Sequence, residues 1–233
     1  ARRNGLLKRS FERYYGHIKR LESANIEELH QKRLSTLPAF RNFFHQGQEE
    51  TAVDWRLISA VGFQESKWDA FATSPTGVRG LMMLTERTAD HLGVSDRLDA
   101  RQSIFAGARY LVQLKDALPD RIPEPDRTWL ALAAYNQGQG HMEDARRIAQ
   151  AKGLNPDSWA DIKQTLPLLA RGGFRGVTKH GYARGGEAVI FVESVRNYYD
   201  ILKQLEPEHK PLLYGSRQPR PAVALSHQSS GLN

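Results

Sequence analysis

Asp54-Trp55-Arg56-Leu57-Ile58-Ser59-Ala60-Val61-Gly62-Phe63-Gln64-Glu65-Ser66 is the stretch on which the fold turns. Leu57, Ile58 and Val61 fall on one face at helical spacing, and Asp54 is a residue whose side chain can accept hydrogen bonds from the free amides of a first turn. The stretch therefore predicts a helix from Asp54 to about Glu65. Glu65 follows Val61 by four residues and Leu57 by eight, so it projects from the apolar face. Two readings of Glu65 stand level on spacing alone. It is either a poorly solvated acid that keeps its proton, or the frayed end of a helix reaching water.

Downstream, Ala72-Thr73-Ser74-Pro75-Thr76-Gly77-Val78-Arg79-Gly80 has loop composition. Thr85 can cap a short helix closing at Gly93. Asp99 can cap a longer one through Ile104, Ala108, Leu111, Val112 and Leu118. The Pro119 to Pro125 stretch breaks the chain, and Asp126 opens a helix bearing Trp129, Leu132 and Ala133 that stops at Asn136-Gln137-Gly138. A further helix carries Met142, Ala145 and Ile148. Ser158 and Asp161 form a capping-box pattern ahead of Ile162 and Leu166. The glycine-rich stretch from Gly172 to Gly186 leads into a last helix with Val189, Val192, Val195, Tyr199 and Leu202.

Upstream, Leu37, Phe40 and Phe44 suggest a helix ending near Gly47. Leu7, Phe11, Tyr14, Ile18 and Leu21 form a second apolar stripe flanked by Arg and Lys. That stripe packs either on the main domain or an absent neighbour, or lies on a membrane surface as a basic amphipathic helix. No segment alternates with a period of two, so the fold class is all-α. The expected division is a basic helical extension over 1–47, a main domain over 48–206, and a flexible tail over 207–233 containing four prolines.

The 233 residues carry a net charge of +7, and its distribution decides what it means. Residues 1–47 hold ten Lys/Arg against four Asp/Glu, whereas residues 48–206 hold twenty against twenty-one. A neutral main domain argues against a phosphate-binding groove, so no nucleic-acid partner is expected. The basic arm could still meet an anionic membrane or cell-wall polymer. The absence of cysteine excludes disulfides and thiolate chemistry, and the eight histidines lack metal-ligand spacing. No metal and no cofactor are expected. No apolar run approaches the ~20 residues that span a bilayer. The chain begins at Ala1 without a start methionine or a leader pattern, and is expected to be a fragment or processed product.

Common catalytic signatures are missing: there is no G-x-S-x-G, H-E-x-x-H, P-loop or dinucleotide fingerprint. What remains is an ordered set: Glu65-Ser66, then Ser74-Pro75-x-Gly77-x-x-Gly80-Leu81-Met82, then Ala134-Tyr135-Asn136-x-Gly138, then Gly181-Tyr182 with Glu187. The set resembles the family 1 lytic transglycosylases over roughly residues 50–205. It is most similar to their membrane-bound F branch, including Met82-Met83-Leu84-Thr85 and Gly181-Tyr182-Ala183-Arg184-Gly185.

The resemblance implies a lysozyme-like helical domain that cleaves the β-1,4 bond between N-acetylmuramic acid and N-acetylglucosamine, leaving 1,6-anhydromuramyl ends. It implies that Glu65 is the single catalytic acid and base, which settles the tie left by spacing. Substrate contacts then fall to Ser74, Met82, Met83, Tyr135, Asn136, Tyr182 and Glu187. Each has a plainer role beside it: Ser74 turning the chain before Pro75, Tyr135 filling the core, Asn136 capping a helix, Glu187 compensating a helix N-terminus. One departure stands out, because the wider family usually has glutamine where this chain has Met83. The resemblance also implies partners and a place. These are peptidoglycan strands and muropeptides, a preceding solute-binding-like module, and the periplasmic face of the bacterial outer membrane. The competing readings are a hydrolytic muramidase, with Asp69 or Glu86 as base, and a catalytically inert glycan-binding module.

Overall fold

The computed structural model describes residues 23–170, 174 and 176–211 of the chain. The apolar stripe of Leu7 to Leu21 lies outside the described residues.

Asp54 caps as its chemistry predicts. Its carboxylate accepts from the Arg56 amide at 2.8 Å and is also held by the Arg56 guanidinium and the Tyr199 hydroxyl, the latter at 3.0 Å. From that cap runs α3, Trp55–Ser66, after α1 over residues 23–35 and α2, Leu37–Thr51. Every residue of α3 from Trp55 to Phe63 is buried, so α3 is the central helix rather than an amphipathic surface one. It packs against α2, α5 (Ala100–Asp116) and α9 (Gly185–Leu205). Between these lie α4 (Glu86–His91), α6 (Asp126–Gln137), α7 (Gln139–Ala151), α8 (Trp159–Thr165) and a 3-10 turn at Leu166–Ala170. Among the described residues β pairing is limited to isolated bridges joining Thr73 to Arg79 and Arg79 to Leu84. The fold is all-α, as expected. No helix of the described residues is long and apolar enough to cross a membrane.

The end of α3 is abrupt. Lys67 and Trp68 both take the left-handed conformation, with φ of 55° and 59°. For residues with a side chain such geometry costs of order 1 kcal/mol or more, and only strong surrounding contacts sustain it. Trp68 supplies them, being buried, edge-on to Phe63 and donating its indole N–H to the Ser59 carbonyl at 2.8 Å. Glu65 is thereby fixed in a final helical turn whose exit is locked.

Several boundaries differ from expectation. Helix α2 runs past Gly47 to Thr51, so the 47/48 boundary falls inside a helix. Gly47 is not a stop. It is buried mid-helix and faces Ile58 and Ile104, where α2 packs on α3 and α5. The Ser158 hydroxyl makes no cap bond. The Asp126 carboxylate takes the Trp159 amide at 2.7 Å, and Asp161 turns back to the Asn155 amide at 2.9 Å. Leu118 lies two residues beyond the end of α5. Residues 207–209, expected to open a flexible tail, are held to the helices: the Pro207 carbonyl accepts from the Trp55 indole at 3.2 Å, and the His209 carbonyl from Gln48 at 2.9 Å. Just before them, the buried Glu206 carboxylate is gripped by Arg33 at 3.0 Å and Arg41 at 2.9 Å, which fastens α1 and α2 to the end of α9.

Candidate active site

Glu65 sits in the last turn of α3, half-buried. No described residue gives it a hydrogen bond or an ion pair. Burial alone therefore acts on the carboxyl, pushing it from the usual 4.5 up to about 8. At neutral pH it holds its proton. Its neighbour is Tyr135, in the last turn of α6, whose phenol is raised well above its ordinary range by burial and next by the charge of Glu65.

Three hydroxyls fix the backbone beside Glu65. Ser66 Oγ donates to the Leu81 carbonyl at 2.8 Å, Tyr135 donates to the Met82 carbonyl at 3.0 Å, and Ser103 Oγ accepts from the Met82 amide at 3.0 Å. The segment leading to Met83 is thus registered from α3, α6 and α5 at once. The turn before it needs Gly80, with φ of 83° and its α-carbon so close to the Arg97 carbonyl that a Cβ would stand 1.8 Å from the oxygen.

Met82 corrects an expectation. Its side chain is 1 % exposed and lies against Gly62 and Gly107, where a Cβ on Gly107 would come within 2.7 Å of the Met82 methyl. It is a core side chain that cannot touch a glycan; its backbone, not its thioether, serves the site. Met83 is half-buried and holds φ at 49°, its amide donating to the Gly80 carbonyl at 3.0 Å. Ser74 is engaged inside its own turn, accepting from the Val78 amide at 3.1 Å and sharing a hydrogen bond with Thr76 at 2.9 Å.

Asn136 is exposed and does not cap α6, a position taken by Gly138. Tyr182 is 70 % exposed, and Glu187, in the first turn of α9, pairs with Arg184 at 3.4 Å. Gln137 reaches the Arg184 carbonyl at 3.3 Å, so the end of α6 meets the segment bearing Tyr182 and Glu187. The structure thus joins Glu65, Tyr135 and the Met82 backbone directly. The end of α6 that carries Asn136 meets the segment of Tyr182 and Glu187, and Ser74 stays within its loop.

Four residues missed by sequence reasoning support this arrangement. Ser103 holds Met82, and Arg97 ties the Gly77 carbonyl at 2.9 Å to that of Leu84 at 3.2 Å. Asp144, fully buried, accepts from the amides of Lys179 at 2.8 Å and His180 at 2.7 Å, anchoring the approach to Tyr182. The readable signal for Asp144 is an acid four residues before Ile148, hence on the same helix face, and for Ser103 a hydroxyl beside Ile104. The fourth, Tyr110 on α5, lies with its ring 5.3 Å from that of Tyr135. Tyr110 also lines a groove of about 620 Å³ between α4, the start of α7 and His180. Glu65 does not line this groove; the Tyr110–Tyr135 pair joins the two.

Residues 42–157 match the family described as Transglycosylase SLT domain. Among curated proteins, the chain is 63% identical over 213 residues to a protein of Thiobacillus denitrificans named membrane-bound lytic murein transglycosylase F, a match covering 91% of this chain and 45% of the relative. Proteins of the same name from Nitrosospira multiformis and Pseudomonas syringae pv. syringae are 57% and 52% identical, over 88% and 92% of this chain and 43% of each relative. The chain spans less than half the length of the curated relatives it matches.

Proposed function

Through residues 42–157 the chain belongs to the transglycosylase SLT domain family, and on that premise we propose that it cleaves the β-1,4 bond between N-acetylmuramic acid and N-acetylglucosamine in peptidoglycan, leaving 1,6-anhydromuramyl ends. Its all-α fold is lysozyme-like. The observation that carries the reading is the carboxyl of Glu65, half-buried, unpaired and raised to about 8. Glu65 donates its proton to the glycosidic oxygen as the bond breaks. The substrate's own N-acetyl carbonyl stabilises the electron-poor anomeric carbon. Glu65, now a carboxylate, takes the proton of the muramyl C6 hydroxyl as that oxygen closes on C1. The proton given equals the proton recovered, and no water is consumed.

A hydrolase of the same fold would ordinarily use a second carboxylate. Asp69 is exposed and accepts from the Phe71 amide at 2.9 Å, and Glu86 is exposed in the first turn of α4. Neither is built as a partner to Glu65, which favours the single-carboxyl route. Tyr135 and the Leu81–Met82 backbone position the acid, while Met83, Asn136, Tyr182 and Glu187 offer contacts to the glycan.

Mass spectrometry of digested cell wall tests the reading. Anhydro ends are expected, products one water heavier would establish hydrolysis, and no product at all would leave only binding. Glu65→Gln should lose about 10²–10⁴ in turnover, and undiminished activity would remove Glu65 from its role. The longer relatives carry the words membrane-bound in their names; for the full-length protein we propose membrane association and an upstream solute-binding-like module joined through residues 1–47. Absence of hydrogen-exchange protection in that segment, when both parts are present, would sink the junction.

A further inference from the structure

The groove beside Tyr110 has no part in the proton transfers at Glu65, yet its lining is selective. It contains Arg87 and His91 from α4 and His180 from the segment after α8, and no carboxylate. Arg87 and His91 stand four residues apart, hence on one face of the helix. Neither side chain makes a hydrogen bond or ion pair with any described residue. The opposite wall is the start of α7, a 13-residue helix whose N-cap is Gly138 and whose first turn no side chain caps, so its free amides and dipole favour negative charge.

The third wall is built, not incidental. Buried Asp144 holds the Lys179 and His180 amides, and the His180 ring then covers Gly140 so closely that a Cβ there would lie 2.7 Å from it. The adjacent His141 has its Nδ1 buried without a partner. The unpaired Arg87 guanidinium and His91 imidazole, facing an open helix start and the His180 wall in a volume of about 620 Å³, suit a ligand with several carboxylates.

We propose that this groove binds the carboxylates of the peptide stems borne by the glycan, with Arg87 as the principal contact. The assignment rests on the peptidoglycan reading for its choice of anion. Peptide stems are the part of that polymer that carries free carboxylates, and the Tyr110–Tyr135 contact sets the groove alongside a strand seated at Glu65.

Calorimetric titration of the chain with the free stem tripeptide L-alanyl-γ-D-glutamyl-meso-diaminopimelate tests it. Binding is expected to weaken about tenfold or more in Arg87→Ala, and by a similar factor in the unaltered chain when the peptide carboxylates are amidated. Arg87 is exposed, so the substitution leaves the core intact. Equal affinity for acid and amide, or an Arg87→Ala variant that binds as the parent does, overturns the proposal. Cell-wall digestion is the separate readout. A chain that binds the tripeptide through Arg87 but releases no anhydro product keeps the groove assignment and loses the catalytic one. A chain that releases product but is indifferent to the carboxylates does the reverse.

Discussion

At Glu65 the direction of a pH effect on stability follows from burial. The folded carboxyl titrates near 8 and the unfolded one near 4.5. Between those values the folded state keeps a proton that the unfolded state has released, so stability falls as pH rises from 4.5 through 8 and levels off above. At about 1.4 kcal/mol per pH unit the full difference would be roughly 5 kcal/mol, and partial exposure brings it to about 1–3 kcal/mol. Glu65→Gln removes the ionisable group. It should therefore melt several degrees above the parent at pH 9 and together with it near pH 4, and an offset equal at both pH values would contradict the buried-acid account. The same proton governs turnover, since kcat/KM should decline above about pH 8 as the free enzyme loses its acid.

At the scale of elements, the site depends on how closely α3, α5 and α6 approach one short segment. Gly107 on α5 is where the tolerance is smallest. Gly107→Ala would drive a methyl into the Met82 side chain at 2.7–2.8 Å, costing about 1–3 kcal/mol and shifting the backbone that Tyr135 and Ser66 hold. Thermal melting should show the loss, with activity falling further than stability explains. Ser74→Ala makes the contrast: it removes only bonds within the turn, and a large fall in kcat/KM would instead mean that Ser74 touches the sugar.

These contacts also show what could be read from the chain. Asp54, Thr85 and Asp99 announced their helices because capping is local chemistry, and Glu65 was legible because four-residue spacing sets its face. Met82 was misread because adjacency in a motif says nothing of which way a side chain points, and that direction is set by Gly62 and Gly107, 20 and 25 residues away in sequence. Asp144 and Ser103 hid for a related reason, since a buried polar group declares its purpose only through partners brought by tertiary structure.

For the whole molecule the controlling feature is the clasp at Glu206, whose carboxylate is 4 % exposed and shared by two guanidinium groups from α1 and α2. Removing both partners leaves an uncompensated buried charge. Arg33→Ala with Arg41→Ala should destabilise by about 3–5 kcal/mol. Adding Glu206→Gln should recover much of it, and urea unfolding of the parent and the two variants measures both changes.

That clasp sets the smallest piece that can be moved between proteins. The span recognisable by family, 42–157, stops before α9, which packs along α3, and begins after Arg33 and Arg41. A graft cut to that span would carry Glu65 on a helix stripped of its backing. A self-sufficient transplant has to start upstream of Arg33 and continue to His209, which makes portability a property of the salt-bridged ends more than of the motif-bearing middle.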